Sequence, residues 1–227
     1  MRRIRRLYEA RFRAWLAAAG ARRPEQGVQW LLAKAQRLAA DQGLSPPEAL
    51  ARVYDSLAAR PRLRPARPVL AASRFFCDAG LGGLARWLRA AGYEALWEDG
   101  IEDDDLLRRA RETSAAILTT DSLLMERRLL RDGVISALWL PPSLTIPAQL
   151  ALVFREFRLT LREARCMACG GELRRADKEA LRERIPPRTY RWLNEYFLCA
   201  GCGQLFWHGT HWERIRRELE RTLTRQH

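Results

Sequence analysis

The chain of 227 residues has no apolar run approaching the roughly 18–20 residues of a membrane span, so an integral membrane protein is not expected. A secretory signal is missing too: Leu16-Ala17-Ala18-Ala19 is too short an apolar core and lies behind six arginines. The start, Met1-Arg2-Arg3-Ile4-Arg5-Arg6, has the arginines of a mitochondrial transit peptide without its serines. It continues into a patterned helix, so it is read as mature protein. A cytoplasmic location is the resulting expectation. In that reducing setting disulfides are not expected: four of the five cysteines read as metal ligands, and Cys77 as a small buried hydrophobe. Lysine is nearly absent, with only Lys34 and Lys178 among 40 basic residues. No internal repeat is evident.

What is present begins with apolar residues at 48%, enough for a packed core and too many for wholesale disorder. The length allows one large domain or two modest ones. The formal net charge is +13. Residues 1–70 carry 15 basic side chains against 5 acidic ones, whereas the remainder carries 25 against 22. The positive field is therefore concentrated at the N-terminus. It suits a polyanion such as RNA or a ribonucleoprotein. The compositional alternative is an arginine bias from a GC-rich genome.

Residues 1–60 read as a basic three-helix unit. Ile4, Leu7, Tyr8, Trp15, Leu16 and Ala19 fall at helical spacing, with Arg2, Arg3, Arg5, Arg6 and Arg13 on the other face. Pro24 opens a second helix that Gly43 ends. Ser45-Pro46-Pro47-Glu48 is the entry to a third, with a capping-box spacing. The unit is either a docking module for RNA or protein, or a packed cap on the next domain. Residues 61–72 alternate proline with arginine and read as an extended linker.

From residue 73 to about 160 the pattern becomes strand, helix, strand, helix, strand. Val69-Leu70 and Phe75-Phe76-Cys77 form the first strand, ending in Asp78. A helix over Leu81–Ala91, a strand over Tyr93–Trp97, a helix over 104–112 and a strand over Ala115–Thr120 come next. Asp103 is placed at the helix N-cap, within the cluster Asp103-Asp104-Asp105. Asp121 closes the third strand and starts a helix through Arg131. A fourth strand over Val134–Leu140 and a closing helix over Thr145–Phe157 complete the unit. In an open parallel sheet, ligands collect beyond the carboxyl ends of the strands. Asp78 and Asp121, with Asp103 or Asp104, would meet there. Such carboxylates suit magnesium or manganese. Arg86 and Arg89, three apart on the first helix, are either phosphate contacts or solvated.

Residues 161–212 hold the other strong motif. Cys166-Met167-Ala168-Cys169 and Cys199-Ala200-Gly201-Cys202 are two Cys-x-x-Cys knuckles separated by 29 residues. They point to one tetrahedral, structural zinc, because four thiolates leave no open position. Between them, Arg174–Arg184 is expected to add a helix. Trp207, His211 and Trp212 either touch nucleic acid or pack the ribbon. Residues 213–227 are expected to form an exposed charged helix.

Taken together, these residues resemble the Mut-seven C-terminal (Mut7-C) RNase domain family. The resemblance rests on Asp78 before Leu81-Gly-x-Leu-Ala-x-Trp-Leu-Arg89, on the acidic helix start Asp103-Asp104-Asp105-Leu106-Leu107, and on Leu118-Thr119-x-Asp121. The pattern Trp207-x-Gly-Thr-His-Trp212 and the ribbon extend it. It implies a PIN-like α/β fold: a parallel sheet flanked by helices, with an N-terminal helical unit and a four-cysteine zinc ribbon added here. It further implies a metal-dependent ribonuclease. Asp78, Asp103, Asp104 and Asp121 would be catalytic, with magnesium or manganese on Asp78 and Asp121. Arg2, Arg3, Arg5, Arg6, Arg86, Arg89 and His211 would contact RNA, with tRNA and ribosomal RNA as candidates. Thr120 stands where the family usually has arginine, and Glu94 where many members have aspartate. The alternative functions are a non-catalytic RNA- or ribosome-binding protein, and a protein-interaction module.

Overall fold

The computed structural model describes residues 2–58 and 72–224, without the side chains of Arg2, Arg3, Ala18, Ala58 and Thr224. Val69-Leu70 and the linker up to residue 71 lie outside the described residues. Three helices come first: α1 (Arg2–Ala18), α2 (Pro24–Gln42) and α3 (Pro46–Ala58). Gly43 takes the left-handed conformation that ends α2, and its N–H bonds the Ala39 carbonyl. Before α3, the Ser45 N–H and hydroxyl donate to Glu48 at 3.0 and 2.6 Å, so the glutamate half of the capping box forms. The apolar stripes meet in one core around Tyr8, Phe12, Leu31, Leu32, Val53 and Tyr54.

The central sheet has four parallel strands, β1 (Arg74–Cys77), β2 (Glu94–Trp97), β3 (Ala116–Thr119) and β4 (Ala137–Trp139), in the order β2-β1-β3-β4. Side chains alternate across it with period two. Phe75, Cys77, Ala95, Ala116 and Leu118 face α4 (Gly82–Ala90), α7 (Ile146–Phe157) and α9 (Thr210–Thr224). Phe76 and Ile117 face α5 (Asp103–Glu112) and the segment after β3. The helices after β1 and β2 thus cover opposite faces, and the chain reverses its strand order between β1 and β3. That reversal opens a crevice beyond the ends of β1 and β3, the position where such sheets bind ligands. Gly92 ends the α4 turn at φ 93°; a Cβ there would lie 2.5 Å from Arg162 Cβ and from the Glu163 carbonyl oxygen.

The N-terminal unit docks on this sheet. Trp139 of β4 is buried in the unit's core, edge-on to Tyr8 at 6.4 Å. Trp15 Nε1 donates to the Tyr54 hydroxyl, which donates to Glu156 on α7, both at 3.0 Å. Arg155 pairs with Asp55 at 2.6 Å. Arg11 is buried with its guanidinium 5.5 Å from the Tyr54 ring. Part of the unit's apolar face is therefore taken up by packing against β4 and α7.

Three expectations are corrected. No single helix runs from Asp121 to Arg131: a 3-10 turn at Leu124–Glu126 and a short α6 (Arg128–Arg131) replace it, because Arg127 is extended at ψ 135°. The region Arg174–Arg184 forms β5 (Leu173–Ala176) and only a 3-10 turn at Arg182–Arg184. β5 pairs antiparallel with β6 (Tyr196–Cys199), setting Leu173 opposite Cys199, and β7 (Leu205–Trp207) completes the ribbon; α8 (Pro187–Trp192) lies in the connection. The last helix is not a solvated tail: Ile215 and Leu219 are buried in the core shared with α7. No helix among the described residues is long and apolar enough to cross a membrane.

Candidate nuclease site and metal centre

Asp78 leaves β1 at its carboxyl end. Its Oδ1 accepts from the Ala79 N–H at 2.7 Å, capping a 3-10 turn. Its Oδ2 accepts from the Thr119 hydroxyl at 2.6 Å. The same Thr119 oxygen accepts the Asp121 N–H at 2.9 Å. Thr119 is fully buried, so one hydroxyl fixes the Asp78 carboxylate and the backbone of Asp121 across two neighbouring strands. Asp121 Oδ1 accepts from the Leu123 N–H at 2.6 Å, the bond of an N-cap, and the turn it precedes is the 3-10 turn at Leu124–Glu126 rather than a continuous helix.

Asp103 is the first residue of α5; Glu102, not Asp103, occupies the N-cap position, and its side chain makes no capping bond. Burial raises the Asp103 pKa from its ordinary value, and the charges of Asp121 and Asp78 raise it further, against the pull of Arg127. Asp103 therefore shares an electrostatic field with the two strand-end carboxylates. Asp104 turns outward, is highly exposed and pairs with Arg127; Asp105 pairs with Arg108. The carboxylates are more open than the thiols: among the described residues, only the four cysteines bring ligand atoms within 4.8 Å of one another. An open acidic set fits a hard cation that keeps several of its waters.

The four cysteines form a closed set. Cys166 and Cys202 Sγ are 3.7 Å apart, and Cys169 and Cys199 Sγ 3.3 Å. A Zn–S bond of about 2.3 Å gives a tetrahedral edge of about 3.8 Å, so the spacing fits zinc. Backbone N–H groups aim at the sulfurs: Gly171 at Cys169 (3.4 Å), Gly201 and Cys202 at Cys199 (3.3 and 3.4 Å). Burial pushes the Cys166 thiol up to about 12. Burial also opposes ionisation of Cys199, but the Cys202 amide, the Cys169 thiol and the Gly201 amide outweigh it and bring Cys199 down to about 6. This donor set could hold a zinc ion.

The Mut7-C RNAse domain family matches residues 73–219, which include both the acidic strand ends and the four cysteines. The chain belongs to that family. Membership gives it a nuclease-like, RNA-related character. No curated protein and no solved structure matches the chain.

Within this Mut7-C fold the basic residues singled out by sequence separate. Arg86 is exposed on α4. Arg89 is buried, and its guanidinium donates to the carbonyls of Ala95 (2.8 Å), Met167 (3.1 Å) and Ala168 (2.6 Å). It ties β2 to the first cysteine knuckle with Nε and Nη1 spent on carbonyls, so the residue offered as an RNA contact has a structural role. Arg5 is exposed and pairs with Glu9 at 2.9 Å; Arg6 is exposed; the side chains of Arg2 and Arg3 lie outside the described residues. His211 is exposed at the start of α9. Trp207 packs against the ribbon core and Trp212 against the main core. Thr119 and Arg127 are the residues that sequence reading passed over. The signal for Thr119 was its place two residues before Asp121 in a strand whose other residues are apolar.

Proposed function

We propose that the protein is a metal-dependent ribonuclease whose site is built from Asp78, Asp103 and Asp121, with a structural zinc in the ribbon. The observation that carries this reading is the placing of three carboxylates at the strand-order reversal: Thr119 bonds the carboxylate of Asp78 and the backbone N–H of Asp121, and burial together with the charges of Asp121 and Asp78 raises the pKa of Asp103. The charges of Asp121 and Asp78 disfavour the ionised form of Asp103, and a cation bound among them would relieve that cost. A divalent magnesium or manganese ion bound there would supply charge neutralisation at the phosphate and a water acidic enough to attack near neutral pH.

The chain's own residues do the rest. Thr119 keeps the Asp78 carboxylate turned toward the crevice. Asp103 sits on the first turn of α5, so it can approach the strand ends without a long side chain. The amino ends of α4 and α5 face the same crevice, and the positive ends of their dipoles favour a phosphodiester anion. Arg127, beside Asp103 and paired with Asp104, adds a cation at the rim. Backbone contacts of this kind hold RNA without reading its sequence.

Cleavage of RNA that stops with EDTA, returns with manganese and is absent in Asp121→Ala would support the proposal. Tight RNA binding without cleavage across tRNA, ribosomal RNA and unstructured RNA would overturn it in favour of a docking protein.

A further inference from the structure

A second concave surface lies away from the carboxylates, where the ribbon, α9 and the 161–167 segment meet. It is a groove of about 500 Å³. Its wall carries Phe197, Phe206, Trp207, His208 and Trp212. These rings are not fully spent on the core: His208 is exposed, and the others are half-buried. His208 stacks on Trp212 at 5.7 Å and 17°, and lies 4.9 Å from Phe197, so they form a continuous aromatic face. Arg162, Arg165 and Arg216 line the same groove with one lining acid, Glu163, while Glu220 and Glu195 lie beside it, against Arg216 at 3.2 Å and His208 at 3.9 Å. Arg162 lies over the Tyr93 ring, Arg165 donates to the Gly170 carbonyl, and Arg216 reaches Glu220 at 3.2 Å. Their stems are thus anchored while Arg162 and Arg216 remain exposed.

Flat aromatic faces accept any nucleobase by stacking, and arginines beside them accept the phosphates between bases. Three arginines to one acid among the lining residues favour a polyanion. We infer that this groove binds single-stranded RNA, seating unpaired bases on the His208–Trp212 face with their phosphates on the arginines. The groove also touches Ala90, at the far end of α4 from Asp78. The nine residues of α4 span about 13 Å at 1.5 Å per residue. A single strand held in the groove therefore passes within one helix length of the carboxylates, and the ribbon becomes the arm that feeds the strand to them.

The inference rests on the RNA-cleaving reading for its purpose, but its test is separate. Fluorescence anisotropy would measure the Kd of a labelled twelve-nucleotide single-stranded RNA, with and without a hairpin competitor. The full chain, the double variant His208→Ala/Arg216→Ala and the carboxylate variant Asp78→Asn/Asp121→Asn would be compared. Zinc content and a thermal melt would confirm that each is folded. Expected is a Kd at least tenfold higher for the groove variant, a shallower salt dependence, and no change for the carboxylate variant. At saturating RNA the groove variant should keep its cleavage rate while its KM rises. Groove binding without cleavage by the wild type would uphold this inference and sink the ribonuclease reading. Equal RNA affinity in the wild type and the folded groove variant would overturn it and return the groove to a peptide-binding or packing role. So would a wild type that does not bind the single strand.

Discussion

Replacing Arg89 by methionine keeps most of the apolar stem but removes a guanidinium that serves three carbonyls on two parts of the chain. Hydrogen bonds from a charged donor are worth about 1.5–3 kcal/mol each. Ala95 is buried, so its carbonyl would be left without a partner, whereas Ala168 is exposed and water can replace the lost donor there. Desolvation of the guanidinium offsets part of the gain in the native protein, so the expected loss is about 4 kcal/mol rather than the full sum. At roughly 2–4 °C per kcal/mol for a chain of this size, Tm should fall by about 8–16 °C. Because Met167 and Ala168 lie between the first two cysteines, zinc should also pass to a chromogenic chelator faster. Arg89→Lys should recover only part of both effects, since one ammonium cannot reproduce the planar fork. Thermal melting and timed zinc release measure the two consequences. A variant with unchanged Tm and zinc retention but weaker RNA binding would refute the reasoning and restore Arg89 as an RNA contact.

Other outcomes are expected from the same structure. Thr119→Val keeps the shape but leaves Asp78 Oδ2 without its donor. A loss of about 1–3 kcal/mol in a buried hydrogen bond should appear as roughly a tenfold fall in kcat if the carboxylate is the catalytic one, read by RNA cleavage under saturation. Purified protein should carry one zinc per chain, and Cys166→Ala should lose both the metal and the ribbon's protease resistance, since binding and folding of such a unit are linked. Glu48 accepts hydrogen bonds from Ser143 and from Ser45, which hold its pKa down at about 2. A depressed carboxylate stabilises the fold above its unfolded pKa and loses that contribution as pH falls toward the folded value. Glu48→Gln should therefore lower stability at neutral pH and flatten the acid limb of the Tm–pH curve between about pH 4.5 and 2.

The four parallel strands were readable because each is a short apolar run that turn residues or an amphipathic helix punctuate. The same runs end in Asp78 and Asp121, so the crevice could be located from the residues alone. Two Cys-x-x-Cys knuckles likewise point to a tetrahedral thiolate set, although 29 residues separate them. What stayed hidden depends on contacts far apart in sequence. Arg89 reads as a surface residue until a carbonyl 79 positions later closes over it. The inner face of α9 carries Trp212, Ile215, Leu219 and Leu223 at helical spacing, a pattern present in the sequence but passed over among the many charges of this segment. Asp121 does make the capping bond of a helix start, to the Leu123 amide, but the helix expected after it is cut to a 3-10 turn and a short α6 by the extended Arg127. The choice among Asp103, Asp104 and Asp105 turns on which side of α5 faces the strand ends. That is set by Leu106, Leu107 and Ala110 burying against Phe76 and Ile117.

The most direct measurement is cleavage of an end-labelled RNA by the purified full chain with magnesium or manganese, beside Asp78→Asn/Asp121→Asn, both carrying a full complement of zinc. The structure predicts products from the wild type, none from the variant, and equal RNA affinity for the two. Products from both proteins at equal rates would contradict the assignment of the reaction to the carboxylates at the ends of β1 and β3.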